Sequence, residues 1–87
     1  MLTVHIPSPL RSYTKNQAIV EASGKSVNEL LKNLDGAYAG IRFRMVDEQD
    51  AIRQHIRIFV ERQPVHNLSM ELKGNELVHI ICALSGG

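Results

Sequence analysis

Eighty-seven residues, 44% of them hydrophobic, make one small domain with enough apolar material for a single core, outside the low-hydrophobicity, high-charge regime of disordered chains. Ten basic and nine acidic residues leave a net charge of +1, too little to create a global field for a polyanion, which argues against nucleic-acid binding. The single cysteine, Cys82, excludes an internal disulfide. With no signal-like start and no apolar run of membrane-spanning length, a cytoplasmic location is expected.

The opening "LTVHI" alternates, with Leu2, Val4 and Ile6 on one face and Thr3 and His5 on the other, which predicts a half-buried strand. "PSP" at 7–9 stops it, because proline cannot donate to a ladder. A polar connection leads to "QAIVEAS", a second short strand ending at Gly24, so residues 2–22 form a hairpin with a long loop. "SVNELLKNLDG" is the clearest local signal. Ser26 is placed as N-cap and Glu29 completes a capping box; Val27, Leu30, Leu31 and Leu34 fall at i, i+3, i+4 and i+7 on one helical stripe. Gly36 stands where a left-handed residue would end the helix.

"AYAGIRFRMVDEQDAIRQ" reads as a connection with a short helical turn, and "HIRIFVE" as a strand, with Ile56, Ile58 and Val60 set against Arg57, Phe59 and Glu61. "RQPV" reads as a turn in which Pro64 ends that strand. A short strand around Leu68–Leu72 is expected before the "KGNE" turn. The last run, "LVHIICAL", is apolar on both faces apart from His79, the pattern of a central strand covered on both sides or paired with parallel neighbours. One helix among these strands predicts an α+β layer: a mixed sheet of four to five strands, the last beside the first, with the helix laid across it.

No self-contained active site emerges. The four histidines lack metal-ligand spacing, and Cys82 has no second cysteine to complete a zinc site, so scattered histidines and a buried, apolar cysteine are expected, with no bound metal. "DEQD" at 47–50 reads as a solvated turn. Five arginines, Arg42, Arg44, Arg53, Arg57 and Arg62, read first as an exposed sheet face and loop neutralised by nearby acids, and second as a docking surface for an acidic partner.

That leaves "SGG". Average glycine usage makes a terminal glycine pair roughly a one-in-200 occurrence. It directly follows a strand expected to be central, so a rigid core of residues 1–84 would carry a short flexible tail, 85–87. Without a Cβ, Gly86 and Gly87 can thread a channel too narrow for any side chain, and the group delivered there is the carboxylate of Gly87.

In "LTVHIPSPLR", "SVNELLKNL", "IRIFVERQPV", "LKGNELVHIICAL" and the closing "SGG", the chain resembles the ubiquitin-like β-grasp sulfur carriers of the ThiS/MoaD superfamily over essentially its whole length. "LRSYTKNQ" and the Tyr38–Ile41 stretch make it most similar to the type serving cysteine biosynthesis. The resemblance implies a carrier rather than an enzyme, with no bound cofactor. An E1-like enzyme would adenylylate Gly87 with ATP, a sulfur donor would convert it to a thiocarboxylate, and a synthase would take the sulfur into cysteine or a related thio-metabolite. A siderophore, thiamine or molybdopterin product ranks lower. Gly86 and Ser85 would give the tail access to the enzyme, and the sheet, including Phe59, Arg57 and Ile81, would dock. A metalloprotease trims some relatives behind the diglycine. The alternative is a ubiquitin-like modifier joined through Gly87 to lysines.

Overall fold

The computed structural model describes residues 1–83. Its frame is one mixed sheet in the order β2-β1-β5-β3-β4. Strands β1 (Leu2–His5) and β2 (Ile19–Ala22) form the expected antiparallel hairpin. β5 (Leu77–Cys82) lies in the centre, parallel to β1 and antiparallel to β3 (Ile56–Val60), and β4 (Gln63–Pro64) closes the far edge. A parallel pair needs a crossover, and the long segment between β1 and β5 supplies it.

Helix α1 (Val27–Ala37) lies over one face of this sheet. Its apolar stripe, Val27, Leu30, Leu31 and Leu34, has no exposed surface and meets Leu2, Val4, Ile56, Ile58 and Val78 in one core. The Ser26 side chain accepts the Glu29 amide at 3.2 Å, while Glu29 Oε1 reaches back to the amide of Lys25 rather than of the cap residue. Gly36 departs from expectation: it is inside α1, which continues to Ala37, and the left-handed glycine is Gly40, with φ of +95°. Gly40 opens the short helix α2 (Ile41–Met45), the helical turn expected in this stretch. Asp35 Oδ1 ties the two helices by accepting the amides of Gly40 and Arg42 at 3.0 and 3.1 Å.

The connection from β1 to β2 contains a 3₁₀ helix, Ser8–Thr14. Pro7 and Pro9 break the ladder and start this helix, where a missing N–H costs nothing. The only fully buried polar side chain among the described residues, Thr14, satisfies itself by donating its hydroxyl to the Gln17 carbonyl at 2.8 Å.

Two strand assignments change. Pro64 does not end pairing: after a turn through Glu61, at φ of 57°, Gln63 and Pro64 fold back against Val60 and Phe59. Proline is acceptable there because β4 is an edge strand. The segment expected to be a strand at 68–72 makes only an isolated bridge, Ser26 to Glu71. Its carbonyls are used elsewhere: Met70 and Leu68 accept the amides of Val27 and Asn28, completing the first turn of α1. A helix end there consumed what a ladder would have needed.

Close approach of β2 and α1 requires a glycine at position 24. A Cβ there would lie 2.6 Å from the Leu30 amide nitrogen, a backbone atom that cannot swing aside. Gly24→Ala is therefore expected to destabilise the domain by about 1–3 kcal/mol, the usual cost of overpacking, as read by urea unfolding; an unchanged midpoint would show that the helix shifts freely.

The "KGNE" turn carries one perturbed acid. Burial alone would raise the Glu76 carboxyl, but the amides of Lys73, Gly74 and Asn75 donate to it and hold it below the usual range. A depressed folded-state value contributes stability above the unfolded carboxylate range and loses it as pH falls through the folded value. Glu76→Gln should thus lower stability at neutral pH and flatten its acid limb as pH falls below the unfolded glutamate value of about 4.3. Parallel pH profiles for both proteins would count against this role.

Candidate docking face and carboxyl-terminal site

Only one face of the sheet is covered by helices. The almost continuously apolar sequence of β5 predicts a central strand either covered on both sides or paired with a parallel neighbour; the second holds, through β1, while Val78 and Ile80 are buried and Ile81 on the other face is 47% exposed. The strand is central in its hydrogen bonding and one-sided in its packing.

Strand register orders the open face. Ile19 pairs with His5, His5 with His79, His79 with Phe59, and Phe59 with Pro64, so these five side chains form one row across all five strands. Ile81 sits opposite Arg57, and Leu77 beside Thr3, on either side of that row. Phe59, Arg57 and Ile81, the three residues expected to dock, are thereby brought onto one surface. The Arg57 guanidinium is steadied by donating to the carbonyls of Gln54 and Ile56 at 2.7 and 3.1 Å.

Sequence reasoning missed Ile19, His5 and His79. The histidines are not all scattered: the rings of His5 and His79 meet with centroids 4.7 Å apart. Alternation pointed both outward, but only the parallel β1–β5 register makes them neighbours.

The most exposed apolar part of the face is at the end where β5 leaves the sheet. Ile19 is 55% exposed, and together with Ile81, Pro7, Pro9 and Cys82 it lines an apolar groove of about 600 Å³. Cys82, expected to be buried, is half-buried at the rim of the core and borders this groove. The Ala83 amide donates to the His55 carbonyl at 2.7 Å, so the backbone is held to the sheet through the last described residue. Ser85, Gly86 and Gly87, and the boundary placed at residue 84, lie outside the described residues.

The arginines are less neutralised than expected. Arg42 pairs with Asp50 at 3.0 Å, the sole ion pair among the described residues. The "DEQD" stretch is a tight turn between Val46 and Ile52, with Asp47 Oδ1 accepting the amides of Gln49 and Ala51. Among the described residues no three His, Cys, Asp or Glu side chains gather as a metal site, and no helix is long and apolar enough to cross a membrane.

A mixed five-stranded sheet with a helix packed across it is the ubiquitin-like β-grasp, and comparison with known proteins supports the same class. The ThiS family model matches residues 4–87, and the chain belongs to that family. It is 31% identical over 91 residues to the sulfur carrier protein CysO of Mycobacterium tuberculosis, covering 99% of this chain and 98% of CysO. The crystal structure of M. tuberculosis CysO superposes with a TM-score of 0.90 at 28% identity, over 97% of this chain and all of that one. A chain of the BexX/CysO complex from Amycolatopsis orientalis gives a TM-score of 0.92 at 32% identity, with both chains fully covered. The small archaeal modifier protein SAMP1 of Haloferax volcanii shares the fold, with a TM-score of 0.76 at 17% identity over 99% of this chain and 98% of SAMP1.

Proposed function

We propose that this protein is a cytoplasmic sulfur carrier, not an enzyme, whose Gly87 carboxyl group is adenylylated and converted to a thiocarboxylate that supplies sulfur for cysteine or a related thio-metabolite. The ThiS-family match running through to Gly87 carries this reading. Full-length similarity to CysO supports the cysteine branch.

The chemistry divides between carrier and partners. A carboxylate is a poor acyl donor, so an E1-like enzyme joins Gly87 to the α-phosphate of ATP, with loss of pyrophosphate. A sulfur donor then displaces AMP, leaving the sulfur on the Gly87 acyl carbon. A synthase accepts that sulfur. The carrier holds no cofactor of its own; ATP belongs to the activating enzyme. Gly86 and Ser85 give access to the narrow active site. Where the gene encodes residues behind Gly87, a metalloprotease exposes the carboxyl group. The complex-bound relative from A. orientalis supports the expectation of enzyme partners.

In this reading the row through Ile19, His79 and Phe59, with Ile81 and Arg57 alongside, docks on the enzymes. Ile81 is half exposed, so Ile81→Asp keeps the fold. It should raise the KM of the activating enzyme for the carrier about tenfold or more, the effect of losing a central apolar contact. An unchanged KM for Ile81→Asp and Phe59→Asp together would remove the sheet from the docking role.

The decisive measurement is intact mass after incubation with the host's activating enzyme, ATP and sulfide. Exchange of one oxygen for sulfur at Gly87 is expected. Failure to gain sulfur, or lysine-bound Gly86-Gly87 remnants recovered from native cells, overturns the carrier reading in favour of a modifier.

A further inference from the structure

The covered side of the domain has a second ordered surface, built on the outer face of α2. Ile41 and Met45 of that helix are buried, while Phe43 is 56% exposed. The Arg53 guanidinium lies over the Phe43 ring at 4.5 Å, and its Nε–H donates to the Phe43 carbonyl at 2.7 Å. Beside it, the Arg44 Nε–H donates to the Tyr13 hydroxyl, with the guanidinium 5.8 Å from the Tyr13 ring centre. Tyr13 in turn rests on Gly40, where a Cβ would come within 3.3 Å of its ring.

Both arginines are thus held by Nε and by an aromatic face, leaving their terminal nitrogens as the available donors. Among the described residues no carboxylate lies within ion-pair distance of either. Three acids of the surrounding segments are engaged in structure: Asp35 caps α2, Asp47 closes its own turn, and Asp50 pairs with Arg42. An exposed phenylalanine stacked by the Arg53 guanidinium, next in sequence to an arginine held on Tyr13, has the composition of an interface hot spot.

We propose that Tyr13, Phe43, Arg44 and Arg53 form a second docking site for an acidic protein segment, one presenting two carboxylates around an apolar side chain. Charge complementarity selects this occupant. Two arginines, each held on an aromatic ring, match carboxylates set close to a hydrophobic residue, whereas a polyphosphate backbone needs a longer basic track and the chain's net charge is only +1. The site lies on the helical layer, away from the open sheet face. A segment bound there leaves the sheet face accessible, so a protein docked through that face can be tethered to a second one. This inference does not depend on the sulfur chemistry.

The test is amide NMR titration of the full chain with the blocked peptide Glu-Glu-Leu-Glu-Glu. Shifts are expected at Tyr13, Phe43, Arg44 and Arg53 and not at Ile19, His79 or Ile81. Affinity should fall at least about fivefold in Arg44→Ala/Arg53→Ala and in Phe43→Ser, and be restored in part by Arg44→Lys/Arg53→Lys. The variants' own spectra report whether the fold is intact. The proposal is overturned by absence of shifts, by shifts on the sheet face, by unaltered affinity in the folded alanine variant, or by tighter binding of a 12-mer thymidine oligonucleotide at the same residues.

Discussion

Leu30→Asp leaves no folded protein at neutral pH. Leu30 has no exposed surface and sits in the centre of the α1 stripe, against the sheet. Removing its side chain from the core costs about 2–5 kcal/mol by itself. The carboxylate then has no cation within the helix–sheet interface to pair with, and an unpaired buried charge adds several kcal/mol more. A domain of this size has roughly 5–10 kcal/mol in total, so the combined loss exceeds what is available. Circular dichroism should show loss of the cooperative thermal transition, and Leu34→Asp should behave alike. Lys32→Asp, on the exposed side of the same helix, should change stability by less than about 0.5 kcal/mol. A cooperative, native-like transition in Leu30→Asp would mean that α1 can rotate its stripe away from the sheet.

Deletion of Gly87 should have the opposite profile, with the fold unaffected and sulfur transfer abolished. Among the described residues the last buried side chain is Ile80 and Cys82 is half-buried, so unfolding of the deletion variant is expected to match the parent within about 0.5 kcal/mol. Thiocarboxylate formation should be undetectable, because the shortened chain ends at Gly86 and its carboxylate falls short of the activating enzyme's nucleotide. Gly87→Ala retains the length and adds one methyl group; activation should slow by at least about a hundredfold, or ~2.7 kcal/mol, if the channel admits only glycine. Full thiocarboxylation of the alanine variant would refute the steric part of the argument, and sulfur transfer by the deletion variant would refute Gly87 as the carrier position.

Much of the fold was legible before the structure. Ser26 and Glu29 announced the start of α1, and the spacing of Val27, Leu30, Leu31 and Leu34 specified which side it buries. These are local signals with a fixed period, so no tertiary information was needed. The central position of β5 was also readable from its apolar run, but its coverage was not. Leu77 and Ile81 look as apolar in sequence as Val78 and Ile80, and only the presence of helices on one side alone separates them.

The misread elements share a cause. Gly36 has the composition of a helix end, yet Tyr38 completes one more turn by donating to Leu34, and the left-handed step falls to Gly40. Leu68–Leu72 has the composition of a strand, yet its carbonyls are taken by the amides of Val27 and Asn28. Pro64 has the composition of a stop, yet an edge strand does not need its N–H. In each case a partner distant in sequence claimed or excused a hydrogen bond, and local propensity is blind to such partners.

The sequence by itself determined the main helix and the mixed sheet, because capping and periodicity are properties of neighbouring residues, while the resemblance to the ThiS/MoaD carriers and the terminal motif singled out Gly87. Tertiary structure decided what surrounds them. The parallel β1–β5 register set His5 against His79 and aligned Ile19 with Phe59. One-sided helix packing left that row open beside the departing chain. The turn of α2 set Phe43 beside Arg53 and Arg44 beside Tyr13. Register and layer coverage depend on pairings dozens of residues apart, which no local pattern encodes.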